Sequence, residues 1–180
     1  MKSISEELNL NNQKILLRLD LNVPLVDNKI TDTTRIDKIL PTLKFLISQN
    51  TKIIIISHVG RPKGQVVNEL SLRPICQDLE IKLNQNIKLI TKDIKEIASK
   101  DLFNNDDEKI VMLENIRFYP DEEKNNSHFA RQLANLGIKF LIILILVETF
   151  EPPIIQVIGF LISEVIFFKA LTSKLICNPE

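Results

Sequence analysis

The stretch IIIISHVGRPKG, residues 53–64, gives the clearest indication of the fold class. Its four consecutive isoleucines form a short apolar run, typical of a strand buried on both faces of a parallel sheet. The segment that follows is polar, contains glycine, and includes His58, Arg61 and Lys63. We therefore predict a buried strand whose carboxyl end leads into a positively charged loop.

Similar apolar runs recur along the chain and alternate with segments of helical spacing. The other predicted strands are KILLRL at 14–19, IKLI at 87–90 and KIVML at 109–113, each buried on both faces. Strands that alternate with helices pair in parallel through right-handed crossovers, so the sequence predicts a layered α/β fold. The residues with helical spacing are Ile36, Ile39, Leu40, Leu43 and Leu46; Leu72, Ile75, Leu79 and Leu83; Ile94 and Ile97; and Phe129, Leu133 and Leu136.

Length and composition limit the classes of function. A chain of 180 residues is long enough for a single domain with a substantial core. Its 23 basic and 23 acidic residues cancel, so no overall charge favours nucleic acid or an anionic membrane. Cys76 and Cys177 are far apart and form no metal-binding motif, and the polar first residues contain no signal-peptide core. We expect a reduced cytoplasmic protein without bound metal.

Residues 138–180 differ from the rest because they are rich in apolar side chains. Two apolar runs are separated by Glu148, Glu151 and a pair of prolines. Neither run reaches the roughly 20 uninterrupted apolar residues that a membrane-spanning helix needs. We therefore expect residues 138–147 to form another buried strand and expect no membrane association.

Polar side chains follow three of the predicted strands. They are Asp20 and Asn22; His58, Arg61 and Lys63; and Glu114, Asn115 and Arg117. The carboxyl ends of parallel strands open into one crevice, and Arg35 begins a predicted helix whose free N–H groups favour anions. Because each guanidinium can bind a phosphate or carboxylate through paired hydrogen bonds, Arg35, Arg61 and Arg117 together predict a site for a small polyanion.

Each of these residues also has a structural interpretation. Single arginines commonly form surface ion pairs, and His58 can be a hydrogen-bonded residue that closes a strand. Asp20 and Asn22 favour turns. Glu114 can neutralise a neighbouring arginine, and DEEK at 121–124 is typical of a solvated helix start, while His128 is expected at the surface. The convergence of several strand ends favours the functional interpretation.

Four long motifs in order resemble the N-terminal domain of phosphoglycerate kinase over residues 14–137. They are LLRLDLNVPLVDNKITDTTRI, TKIIIISHVGRPKG, SLRPICQDL, and VMLENIRFYPDEEKNN followed by FARQLANLG. The resemblance implies a Rossmann-like parallel sheet with helices on both faces. It also implies a glycolytic enzyme that moves a phosphoryl group between 1,3-bisphosphoglycerate and ADP, with phosphoglycerate bound by the N-terminal domain and Mg-ATP or Mg-ADP by a C-terminal one.

The resemblance also implies roles for individual residues. It assigns Arg35 both substrate binding and a catalytic role, in which the guanidinium neutralises charge on the phosphoryl group during transfer. The other implied substrate-binding residues are Asp20, Leu21 and Asn22; His58, Val59, Gly60 and Arg61; and Arg117.

The sequence departs from the family pattern after residue 137, where the expected Asn-Asp-Ala-Phe and His-Arg-Ala-His stretches do not occur. No glycine-rich phosphate loop of either standard type is present. We therefore expect a phosphoglycerate-binding domain at 1–137, a divergent apolar tail at 138–180 that partly completes it, and no nucleotide-binding domain with its ATP site.

The expected protein is thus an N-terminal portion of a phosphoglycerate kinase, monomeric and inactive on its own. Its expected ligand is 3-phosphoglycerate or 1,3-bisphosphoglycerate, and a separately encoded C-terminal half is a candidate partner. Two alternatives stay open. One is a binding module without catalysis, and the other is a decayed, non-functional remnant of a kinase gene.

Overall fold

The structure is a computed structural model that describes residues 10–137, 139–145 and 165–170, the last two ranges as strand backbone. The strands are β1 Lys14–Leu19, β2 Leu25–Val26, β3 Lys29–Ile30, β4 Lys52–Ile56, β5 Ile87–Ile90, β6 Ile110–Leu113, β7 Lys139–Ile145 and β8 Val165–Ala170. The helices are α1 Thr34–Ser48, α2 Arg73–Leu83, α3 Pro120–Glu123 and α4 Ser127–Ala134. Short 3₁₀ turns cover Asn68–Leu70, Ile94–Glu96, Ser99–Asp101 and Ile116–Phe118.

A parallel sheet organises the fold, with strand order β5-β6-β4-β1-β7-β8. The isoleucine-rich strand β4 lies between β1 and β6, with Ile53 opposite Ile15 on one side and Ile110 on the other. Strands β2 and β3 form a separate antiparallel hairpin. The predicted α/β class and parallel sheet are confirmed.

The isoleucines of β4 are buried because successive side chains enter cores on opposite faces of the sheet. Ile53 and Ile55 belong to the core that includes residues of α1 and α2. Ile54 and Ile56 belong to a second core, which includes Phe129 of α4. Helices therefore cover both faces, as the continuous apolar run of β4 predicts.

Two local predictions are wrong. Strand β5 is an edge strand that pairs only with β6 among the described residues, so Leu89 and Ile90 are only half-buried. The spacing of Ile94 and Ile97 does not produce an α-helix. Asp93 accepts a hydrogen bond from the Lys95 amide at 2.9 Å and begins a single 3₁₀ turn instead. A local side-chain cap thus outweighs a weak helical pattern.

The apolar segment after residue 137 contributes strands to the same sheet. Strand β7 pairs in parallel with β1, as predicted for 138–147, and β8 pairs in parallel with β7. The structure describes the backbone of β7 but not the burial of its side chains, and Cys177 lies outside the described residues. Over the described ranges, no helix is both long and apolar enough to cross a membrane.

Candidate functional site

The loop after β1 is fixed by the turn chemistry that its sequence predicts. Asp20 Oδ1 accepts a hydrogen bond from the Asn22 amide at 3.2 Å, which closes an Asx turn. Asn22 Oδ1 in turn accepts from the Gly60 amide at 2.9 Å. Leu21, between them, is fully buried. The first strand end is therefore joined directly to the loop after β4.

Arg35 lies in the first turn of α1, as predicted, and reaches back to the β1 loop. Its Nη1 donates to Asp20 Oδ2. The two side chains are 30% and 31% exposed, so the pair is open to solvent on one side. This arrangement places a guanidinium beside a helix N-terminus, where both the charge and the free N–H groups favour an anion.

His58 lies in the loop after β4 and is only 8% exposed. Its Nδ1 lies 3.1 Å from Nη2 of Arg18, a buried arginine of β1. Burial, and then the positive charges of Arg18, Arg117 and Arg35, lower the pKa of His58 to about 2. The imidazole is therefore neutral at physiological pH.

Gly60 gives the β4 loop a conformation that other residues adopt poorly. Its φ is +65°, and a Cβ atom there would lie 2.6 Å from Cδ2 of Leu70. The Gly60 carbonyl accepts a hydrogen bond from Arg117 Nη1 at 3.3 Å. In the same loop the Gly64 amide donates to the Arg117 carbonyl at 3.2 Å. Arg117 is therefore tied to the β4 loop at both its side chain and its backbone.

The remaining family-implied residues of this loop differ in exposure. Arg61 is exposed and forms no hydrogen bond or ion pair within the described residues. Val59 is 2% exposed, so its side chain belongs to the core, and its carbonyl accepts a hydrogen bond from Asn115 Nδ2 at 2.8 Å. As with Leu21, only backbone groups of Val59 are candidates for ligand contact. Arg61, by contrast, has an exposed guanidinium without a partner in the part of the chain that the structure describes.

Asn115 joins the loops together more extensively than the sequence indicates. It is fully buried, and its Nδ2 also donates to the Leu70 carbonyl at 2.9 Å. Its Oδ1 accepts from the Arg117 amide at 3.1 Å. One buried amide thus connects the loops after β4 and β6 and the segment before α2.

Two acidic residues differ from their predicted roles. Among the described residues Glu114 forms no ion pair with an arginine; it accepts hydrogen bonds from Ser71 Oγ and the Leu72 amide, both at 2.8 Å, at the start of α2. Glu122 of the DEEK segment is 2% exposed, not solvated. Its carboxylate lies 3.6 Å from Arg18 Nη2 and 3.6 Å from Arg117 Nε, because α3 turns this residue toward the two arginines.

Other predicted residues lie as expected. His128 is exposed in the first turn of α4, where Asn126 caps the helix. Within the part of the chain that the structure describes, no group of His, Cys, Asp and Glu residues is suited to a metal ion.

Comparison with known proteins identifies the family. The family model for phosphoglycerate kinase matches residues 5–142. The phosphoglycerate kinase of Moorella thermoacetica is 40% identical over 132 residues, which are 73% of this chain and 34% of that protein. The protein of the same name from a Wolbachia species (subspecies Drosophila simulans) is 45% identical over 132 residues, with 73% and 33% covered. The chain thus spans about a third of the length of the curated relatives it matches.

Solved structures agree with these sequence matches. The phosphoglycerate kinase of Coxiella burnetii superimposes with a TM-score of 0.68 at 36% identity, covering 77% of this chain and 34% of that one. The phosphoglycerate kinase of Pyrococcus horikoshii superimposes with a TM-score of 0.75, covering 91% of this chain and 41% of that one. Its sequence identity is 23%, so this match supports the fold alone. From the matched residues and the shared fold, this chain belongs to the phosphoglycerate kinase family.

Proposed function

We propose that this chain binds the phosphoglycerate of its family, 3-phosphoglycerate or 1,3-bisphosphoglycerate, in the crevice at the carboxyl ends of β1, β4 and β6. The observation that supports the proposal is that Arg61 and Arg117 lie on loops that share hydrogen bonds, while Arg35 of α1 binds Asp20 of the loop after β1. Gly60 is the common point, since its amide donates to Asn22 and its carbonyl accepts from Arg117. A small polyanion is the ligand that such an arrangement suits best.

The proposed contacts follow from exposure and charge. Arg61 is exposed and lacks an ion pair within the described residues, so it can bind a phosphate without giving up a partner. Arg35 keeps one nitrogen on Asp20 and has others for a ligand. His58 and the exposed Asn22 supply uncharged polar groups. Leu21 and Val59 are proposed to contribute backbone only, because their side chains are buried.

The family reaction transfers a phosphoryl group between ATP and 3-phosphoglycerate in glycolysis, and we propose that these residues serve its acceptor side in the cytoplasm. Arg35 is the proposed catalytic residue, since its guanidinium can neutralise charge that develops on the transferred group. Residues 1–137 are the proposed phosphoglycerate-binding domain, and 138–180 extend its sheet. Mg-ATP is proposed to bind a separate nucleotide-binding half, since this sequence contains no glycine-rich phosphate loop.

Titration of 3-phosphoglycerate into the 180-residue chain is expected to give measurable binding heat, and Arg35→Ala is expected to weaken the affinity at least about tenfold. The reason is the loss of charge-assisted hydrogen bonds worth roughly 1.5–3 kcal/mol each. Isothermal titration calorimetry measures both. Arg131→Ala is the matched control, because Arg131 is an exposed arginine of α4. Absence of heat at millimolar ligand, or equal losses in the two variants, would reject the proposed site.

The 180 residues expressed alone are expected to give no phosphoryl transfer in a coupled ATP assay. Transfer requires donor and acceptor to be held in line, so binding of the acceptor is insufficient. Adding the C-terminal domain of a relative as a second polypeptide is expected to produce turnover that Arg35→Ala abolishes. Turnover by the 180 residues alone would contradict the proposal that Mg-ATP binds a separate nucleotide-binding half. Binding without complementation would favour the alternative of a non-catalytic binding module.

A further inference from the structure

A row of buried polar side chains runs behind the crevice from Glu122 through Arg18 to His58. Arg18 is 4% exposed, and its Nη2 lies 3.1 Å from His58 Nδ1 and 3.6 Å from Glu122 Oε1. Glu122 and His58 are 2% and 8% exposed. We call these three residues the Glu122–Arg18–His58 triad. It connects His58, a candidate site residue, to a buried carboxylate that also lies 3.6 Å from Arg117 Nε.

The contact with Arg18 decides which nitrogen of His58 has the proton. A guanidinium has N–H donors and no acceptor, so Nδ1 of His58 must accept through its lone pair. In a neutral imidazole the hydrogen is then on Nε2. Nε2 forms no hydrogen bond within the described residues, which leaves its N–H available to a ligand.

The energetics of burial indicate that Arg18 has a role beyond folding. Arg18 Nη1 and Glu122 Oε1 are buried and have no hydrogen-bond partner. An apolar pair of similar volume at these positions is commonly neutral or stabilising compared with a buried ion pair. Leu16, the β1 residue on the same face of the sheet as Arg18, is a fully buried leucine in the core that contains Ile54 and Ile56, so this face of the strand favours an apolar side chain. The charge is therefore explained by its contact with His58.

We infer that Arg18 is a positioning residue that holds His58 as the Nε2–H tautomer and so makes it a hydrogen-bond donor to an oxygen of the bound anion. Glu122 fixes the Arg18 guanidinium from its other side. His58 accordingly acts neither as a base nor as a cation; its low pKa agrees with this role, since burial and three arginines disfavour a second proton. The identity of the anion rests on the proposed function. The tautomer of His58 is inferred from its contact with Arg18 and does not depend on that proposal.

Nitrogen-15 NMR of the histidine-labelled 180-residue chain tests the tautomer directly. The chain has two histidines, and His128→Gln identifies the signals of His58. At neutral pH we expect an unprotonated Nδ1 and a protonated Nε2. In the double variant Arg18→Met/Glu122→Gln, which removes both buried charges together and leaves no orphan carboxylate, the His58 signals should shift toward the average of the two tautomers. A proton on Nδ1 in the wild type, or an unchanged pattern in the double variant, would overturn the inference.

The donor role has a separate readout in ligand affinity. His58→Gln places an amide near the position of Nε2, whereas His58→Asn places one near Nδ1. We expect the glutamine variant to bind 3-phosphoglycerate within a few-fold of wild type and the asparagine variant to bind about tenfold or more weakly. Equal weakening would contradict the donor role. Should the wild type show the expected tautomer without binding 3-phosphoglycerate, the proposed function fails and the positioning by Arg18 stands.

Discussion

Replacing Glu122 with alanine is expected to lower the free energy of unfolding by about 3–5 kcal/mol, because removal of one partner leaves a buried charge uncompensated. The uncompensated charge is that of Arg18, whose side chain is only 4% exposed and lies 3.6 Å from Glu122. Arg117, at 3.6 Å from the other carboxylate oxygen, loses the same counter-ion. Urea denaturation of the 180-residue chain followed by circular dichroism measures the change.

Glu123→Ala is the matched control for this prediction. Glu123 is the next residue of the same short helix and is exposed, so its removal is expected to change stability by at most about 0.5 kcal/mol. Equal losses at both positions would mean that helix α3, and not the buried pair, determines the effect. The double variant Arg18→Met/Glu122→Ala should recover part of the stability, since the orphan charge is then removed.

Glu122 also shows where prediction from the sequence ends. The run DEEK contains adjacent acidic residues and gives no local sign that one is buried. Its burial depends on Arg18, which the chain order places on the first strand and which only the folded sheet brings within 3.6 Å. The apolar run KILLRL predicts the strand correctly, but it gives no indication that Arg18 within it is buried beside a carboxylate. Contacts between distant charges are therefore the part that local patterns miss.

The sheet and the crevice could be predicted because they depend on general rules. Continuous isoleucine runs favour strands buried on both faces, and parallel strands place their carboxyl ends at one edge. These rules correctly predict that the loops containing Asn22, Gly60 and Arg117 lie next to one another. They do not decide which atoms pair. Glu114 follows β6 beside the start of α2, so it bonds to Ser71 and the Leu72 amide instead of an arginine.

The second large effect is expected for Asn115→Ala, with a loss of about 3–5 kcal/mol in the free energy of unfolding. The asparagine is fully buried and satisfies three backbone groups: the carbonyls of Val59 and Leu70 and the amide of Arg117. Each buried polar group left without a partner costs roughly 1–3 kcal/mol. Asn126→Ala is the control of the same residue type. It removes an exposed helix cap and is expected to cost about 1 kcal/mol.

Asn115→Ala should also affect the crevice, because the carbonyl of Val59 adjoins Gly60 and the amide of Arg117 belongs to a candidate ligand residue. Released from Asn115, both loops gain freedom, and binding must then order them again at an entropic cost. We therefore expect 3-phosphoglycerate affinity to fall in Asn115→Ala under conditions where the chain is still folded, and to be unchanged in Asn126→Ala. Calorimetry at a temperature below the unfolding transition of both variants makes the comparison. A stability loss with full affinity would show that Asn115 supports the fold without organising the site.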